Sequence, residues 1–230
     1  MIPPILHQTF RSREEIPPQL FPLMETWKRL HPDWEFRFWS DVDALHLIRG
    51  HYPHLLGLYE GFKHNIQRAD MLRYVVLHHF GGVYSDLDYE LLRSFDPYRE
   101  REYFLAELHD GQIGNALMGS VRGWSFWMDL MENIPAAIER AKRKGLARNH
   151  EILYTTGPGH LDHLAKERGL QWEPWQMFSP VPDKCTHLLQ LGPTPNGAVA
   201  KHWWNASWID GEVYTHQTHM QRTQENAANR

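Results

Sequence analysis

The spacing of apolar and polar positions changes several times along the chain, and each change marks an element. Residues 2–10 are largely apolar, and 34–39 place Trp34, Phe36 and Phe38 alternately with Glu35 and Arg37, which predicts a strand in each. Pro3 and Pro4 fall at the start of the first, where no ladder donor is needed. Between the two strands, Ile16-Pro17-Pro18 leads into a helix that closes at Leu30, with proline in its first turn, and His31-Pro32 stops it. Ser40 predicts the cap of a short helix through Ile48, with Asp43 completing a capping box. Strand, helix, strand, helix is the order of a parallel, Rossmann-like half. The connection 51–64 carries Pro53 and two glycines and reads as a helical insertion or a loop.

Residues 65–90 are the stretch that organises the chain. Over 65–80, Ile66, Ala69, Leu72, Val76 and Phe80 recur at three- and four-residue steps and predict a helix with an apolar stripe facing a core. Asp70 and Arg73, three residues apart, share another face. Gly81-Gly82 ends the helix, and 83–85 reads as a buried strand. Alternation then sends Asp86 and Asp88 to one side of the chain, where they can approach a common point. Two converging carboxylates repel unless a cation lies between them. Hard oxygen ligands suit magnesium or manganese, ions that also bind nucleotide phosphates. An Asp-x-Asp alone equally suits a solvated turn; the acid–arginine pair one helix upstream sets this one apart.

Farther on, 94–97 reads as a turn and 103–107 as a strand, and small residues around Asn115 permit close backbone approach to a ligand. A helix is expected over 124–134, with Pro135 starting a second one through Lys144, whose basic last turn complements the helix dipole. Gly157-Pro158-Gly159 precedes a helix and frees amides at its start. Residues 172–175 and 178–181 read as short strands and turns, and 185–191 as an edge strand. Beyond Tyr214 the chain is polar and aperiodic, so the expected organisation is one domain over 1–214 and a frayed tail over 215–230.

Composition narrows the function. At 230 residues and 42% hydrophobic content the chain can bury one sizeable core. A formal charge of −4 argues against a nucleic-acid partner, which calls for a basic excess. A single cysteine, Cys185, cannot build a disulfide framework. No apolar run approaches the ~20 residues that span a bilayer, and the first ten residues lack the features of a signal peptide. A cytoplasmic protein is therefore expected, with a luminal domain separated from its anchor as the alternative.

Residues 67–74, QRADMLRY, followed by FGGVYSDLDYE at 80–90, resemble the sugar-nucleotide-binding signature of glycosyltransferases related to the yeast mannosyltransferase that initiates the outer chain. That family includes the enzymes that mannosylate inositol phosphoceramide. The Asp…Arg…Asp-x-Asp arrangement is also similar to the core of the large clostridial glucosylating toxins. The resemblance implies a GT-A-type single α/β domain with a Rossmann-like mixed sheet flanked by helices. It further implies a retaining glycosyltransferase that uses Mn²⁺ or Mg²⁺, a nucleotide-sugar donor (GDP-mannose first) and a glycan or glycolipid acceptor.

Residue by residue, Asp86 and Asp88 would hold the metal, completed by His202 of the segment HWWNASW, and Asp70 and Arg73 would grip the donor sugar. His7, Gln8, Thr9 and Trp39 would lie against base and ribose, Asn115 behind the sugar, and Thr156-Gly157 beside donor and acceptor. Ser207 and Trp208 would cover the diphosphate, and Lys201 is a further candidate cation there. Asn205-Ala206-Ser207 is a glycosylation sequon. A glycan on a loop closing over the donor would be hard to accommodate, which favours the cytosol. Alternatives are a UDP-sugar transferase of galactose, glucose or a hexosamine, including a toxin-like protein glycosyltransferase. From other classes come a nucleotide-sugar hydrolase and an inactive carbohydrate-binding domain.

Overall fold

A computed structural model describes residues 1–108, 110–180 and 196–203. Five strands form a mixed sheet in the order β2-β1-β3-β6-β5, with β1 Ile5–Thr9, β2 Glu35–Trp39, β3 Gly82–Ser85, β5 Tyr103–Glu107 and β6 Ile113–Ser120. β1 runs parallel to both β2 and β3, whereas β6 is antiparallel to β3 and β5. The parallel half is the one that the strand–helix alternation predicts. A separate ribbon pairs β4 (Tyr89–Leu91) with β7 (Ala200–His202), antiparallel, and neither strand was expected from periodicity.

Helices cover both faces. On one lie α2 (Asp41–His51), α3 (Pro53–Glu60), α4 (Asn65–Phe80), α5 (Ser125–Lys144), α6 (Arg148–Thr155) and α7 (Pro158–Glu167), around a core that includes Leu72, Val76, Met118, Trp127 and Leu161. On the other face α1 (Phe21–Leu30), the β4–β7 ribbon and the single turn α8 (Trp175–Phe178) pack around Trp27, Phe95, Phe104 and Phe178. Ser40 caps α2 through the expected capping box with Asp43.

α4 departs from the simple amphipathic stripe. Every residue from Asp70 to Leu77 is buried, while Ile66, Ala69 and Phe80 are only half-covered. The helix lies in the middle of the domain, so it needs apolar contact all round, and its polar residues must find partners inside. Gly81 and Gly82 both take positive φ (68° and 98°). A Cβ at Gly82 would meet the Ile5 carbonyl oxygen at 2.6 Å. Two glycines thus turn the chain sharply from α4 into β3 and let β3 settle beside β1.

Three readings need correction. Pro135 does not start a new helix: α5 continues through it as one element of 20 residues, because Phe126, Trp127, Leu130, Met131, Ile134, Ala137 and Ala141 form one buried face across the proline. Of 172–175 and 178–181, read as short strands and turns, Glu173 makes an isolated parallel bridge to Ala106, whereas Trp175 and Phe178 begin and end a single helical turn; α6, hidden in a short polar segment, was not anticipated. The expected strand at 185–191 and the tail lie outside the described residues.

Candidate active site

The site lies beyond the C-terminal ends of β1 and β3, where ligands bind in open α/β sheets. The antiparallel strand β6 brings Asn115 to the same place: Asp86 N–H donates to the Ala116 carbonyl at 2.8 Å. Asp70 is 3% exposed, yet both of its oxygens are engaged. Asn115 Nδ2 donates to Oδ1 and Thr156 Oγ1 to Oδ2, each at 2.9 Å. Tyr74 closes the ring by donating to the Thr156 carbonyl at 2.6 Å, while Gln67 holds Thr155 at 3.0 Å. A buried carboxylate survives only with such partners. Burial pushes its pKa up, against the pull of Arg73, Thr156 and Asn115.

Arg73 sits between two acids. Its guanidinium lies 3.3 Å from Asp86 Oδ1 and 3.8 Å from Asp70 Oδ1, and it donates to the Asn115 carbonyl at 2.9 Å. Burial opposes its charge, but Asp86, then Tyr84 and Asp70, more than offset this and keep it protonated. Tyr84, fully buried beneath the guanidinium at 5.1 Å, donates its hydroxyl to the same Asp86 oxygen at 2.6 Å. Asp86 Oδ1 is therefore fixed by two donors. Desolvation raises the Asp86 pKa, Arg73 opposes that, and the Asp88 carboxylate adds to it.

Asp86, Asp88 and His202 each offer a ligand atom, all within 4.8 Å of one another. The ribbon explains the third member: β4 begins one residue after Asp88, and Tyr89 pairs in register with His202. Their rings stack at 4.3 Å and 10°, and His202 Nε2 is 3.3 Å from Asp88 Oδ1. Tyr89 is itself clamped, with its hydroxyl 3.1 Å from Ser179 Oγ and its carbonyl accepting from Trp27 Nε1. Two hard carboxylate oxygens and an imidazole within this distance of one another fit a Mn²⁺- or Mg²⁺-class ion.

His7 is fully buried, with Nδ1 accepting from Trp39 Nε1 at 3.1 Å and Nε2 2.8 Å from the Gly81 carbonyl. Burial lowers its pKa to about 4, so it is a neutral group bonded to half-exposed Trp39. Gln8 is nearly buried, with Nε2 unpartnered among the described residues, and Thr9 Oγ1 donates to the Trp39 carbonyl at 2.8 Å. Thr156 belongs to the Asp70 network; Gly157 precedes α7 and donates its N–H to the Ile152 carbonyl. Lys201 lies over the Trp203 ring at 4.3 Å. Ser207 and Trp208 lie outside the described residues.

Tyr84 and Tyr74 were missed, though both had a signal. Tyr84 shares the alternation parity of Asp86 and Asp88, and Tyr74 follows Asp70 by four helical residues.

Residues 17–105, which contain the Asp70–Arg73 pair and the Asp-x-Asp, match the sequence model of the family described as "Glycosyltransferase sugar-binding region containing DXD motif". This region belongs to that family. The chain is 31% identical over 216 residues to inositol phosphoceramide mannosyltransferase 3 of Schizosaccharomyces pombe, covering 92% of this chain and 57% of that protein. It is 36% identical over 141 residues to mannosyl phosphorylinositol ceramide synthase SUR1 of Saccharomyces cerevisiae, covering 58% and 35% respectively. The chain thus spans between about a third and just over half of the length of these relatives. Among solved structures it resembles the PaToxG glycosyltransferase, with a TM-score of 0.56 and 14% identity over 73% of this chain and 70% of that one. That likeness supports the GT-A-type glycosyltransferase fold. His202 lies beyond the family match, so it is the ribbon that ties it to the motif. Among the described residues, no helix is long and apolar enough to cross a membrane.

Proposed function

We propose that the chain is a metal-dependent, retaining hexosyltransferase acting on a nucleotide-sugar donor and a hydroxyl acceptor on a glycan or glycolipid. GDP-mannose is the preferred donor, because a relative named as a mannosyltransferase and one named as a mannosyl phosphorylinositol ceramide synthase match the chain at 31% and 36% identity. The observation that carries the reading is the convergence of Asp86, Asp88 and His202 within 4.8 Å, beside the buried Asp70–Arg73 pair.

When bound, a divalent ion supplies Lewis-acid stabilisation of the charge left on the departing diphosphate. The chain's own residues do the rest. Tyr84 and Arg73 hold Asp86 in one orientation. Tyr89 holds the His202 ring. Asp70 keeps lone pairs for a sugar hydroxyl beyond its two present donors, and Arg73 offers a fixed fork of donors to the same sugar. Asn115 and Thr156 lock Asp70 so that little reorganisation accompanies binding. Asp70 is buried with both oxygens engaged, so it suits sugar orientation better than nucleophilic attack. Retention is then expected from front-face attack by the acceptor hydroxyl, and trapping a glycosyl ester on Asp70 would overturn this.

Two variants test the assignment. Asp88→Ala abolishes metal-dependent binding of the nucleotide sugar in calorimetry, whereas Asp70→Ala keeps nucleotide binding and loses turnover. A panel of GDP- and UDP-sugars, assayed for slow hydrolysis with Mn²⁺, selects the donor. Undiminished transfer in both variants would remove the site.

A further inference from the structure

The last turn of α5 and the first turn of α6 meet at an exposed corner. Between residues 139 and 150 lie five cations, Arg140, Lys142, Arg143, Lys144 and Arg148, and one acid, Glu139. Glu139 is spent on Lys142 at 2.7 Å. Arg143, Lys144 and Arg148 are exposed and make no ion pair among the described residues. The next acid along the chain, Glu151, is half-buried and paired with Lys63 at 3.0 Å.

Helix-end electrostatics account for only part of this. Cations at the C-terminus of α5 complement its dipole, but Arg148 is the first residue of α6, where a cation is disfavoured, and the preceding Ala147 provides no side-chain cap. Exposed Tyr154 lies two turns along α6, with the His150 ring stacked against it at 6.4 Å. Tyrosine suits a boundary that is apolar on one side and wet on the other. The corner is also tied to the site. α6 ends at Thr155, which accepts from Gln67, and Thr156 donates to Asp70. Eight residues at 1.5 Å each put Arg148 about 12 Å along the helix from Thr156.

We propose that this corner docks the chain on an anionic bilayer, bringing the Asp70–Arg73 site to acceptor headgroups. The proposal rests on the glycolipid-acceptor reading above. A hydroxyl on a phosphate-linked headgroup lies within about one sugar ring of the lipid phosphate, so the enzyme must bring its site to the headgroup plane. Cations at the far end of the short helix that leads to the site complement that plane in charge. Each Lys or Arg near an anionic surface strengthens partitioning roughly fivefold (about 1 kcal/mol).

The test is co-sedimentation with vesicles of phosphatidylcholine alone or with about a third phosphatidylserine, an anionic surface of the kind that attracts basic segments. The intact protein is expected to bind the anionic vesicles and not the neutral ones. Binding should fade when salt rises from about 0.1 to 1 M, which shortens screening from about 10 to 3 Å. Arg143→Ala, Lys144→Ala and Arg148→Ala together should weaken it about 100-fold. Removing the same charge elsewhere, with Lys28→Ala, Arg29→Ala and Arg49→Ala, should leave most of it. Equal binding to neutral vesicles, or binding unchanged in the first triple variant, overturns the proposal. Manganese-dependent donor hydrolysis in solution separates the two readings. It should be the same in wild type and the first triple variant, and its absence in wild type would sink the enzymatic reading without touching the vesicle result.

Discussion

Tyr84→Phe removes a single hydroxyl from the centre of the site. The ring is fully buried and stays beneath Arg73, so packing is nearly unchanged. What goes is a 2.6 Å bond to an ionised acceptor, leaving Arg73, at 3.3 Å, to hold Asp86 Oδ1. A hydrogen bond to a charged group contributes about 1.5–3 kcal/mol. At 1.4 kcal/mol per tenfold this is a 10- to 100-fold loss, the range typical of removing a group that orients a metal ligand. Titration of Mn²⁺ in the presence of GDP or UDP should show that loss. The effect should deepen as pH falls, because the Tyr84 bond lowers the Asp86 pKa and its removal lets protons compete at higher pH. A variant that holds the ion as tightly as wild type at every pH would refute the orienting role.

Two further outcomes concern stability. Burial lowers His7 and His160 to about 4, so both are neutral in the folded protein and bind protons first when unfolded. Their contribution is present above pH 6.5 and is lost as pH falls towards 4, by about 3 kcal/mol each. His160→Leu gives up the 3.0 Å bond to the Leu130 carbonyl but also the penalty of protonating a buried ring, so its Tm relative to wild type should rise between pH 7.5 and pH 4.5; a constant or falling difference contradicts this. Pro135→Ala restores the helix donor missing inside α5. Relief of about 3 kcal/mol, less up to about 1 for the looser unfolded chain, should raise Tm by about 4–8 °C. A fall in Tm would show that the proline is favoured where it stands.

Much of the fold and of the site is legible in the sequence. Alternation and caps give β1, β2, α2 and the parallel half, and the Gly-Gly turn gives β3 with Asp86 and Asp88 on one side. What periodicity missed has physical causes. α4 shows a stripe, yet it is buried from Asp70 to Leu77, because a central helix meets protein on all sides. Pro135 reads as a helix start, but a buried face continuous from Phe126 to Ala141 overrides a lost hydrogen bond. The β4–β7 ribbon pairs segments more than a hundred residues apart, and no local pattern announces such pairing. For that reason His202 was placed at the metal by resemblance, whereas its partner Tyr89 was not foreseen. His7 is polar at a strand end and was assigned to the donor by resemblance; no periodicity announces that its ring is buried and bonded to Trp39 and Gly81.

Electron paramagnetic resonance of Mn²⁺, titrated into the protein with saturating nucleoside diphosphate, bears most directly on the whole account. One bound ion per chain is expected in wild type, lost in Asp88→Ala and strongly weakened in His202→Ala. The same stoichiometry and affinity in all three proteins would mean that these side chains do not hold the cation, and the catalytic reading built on them would fall.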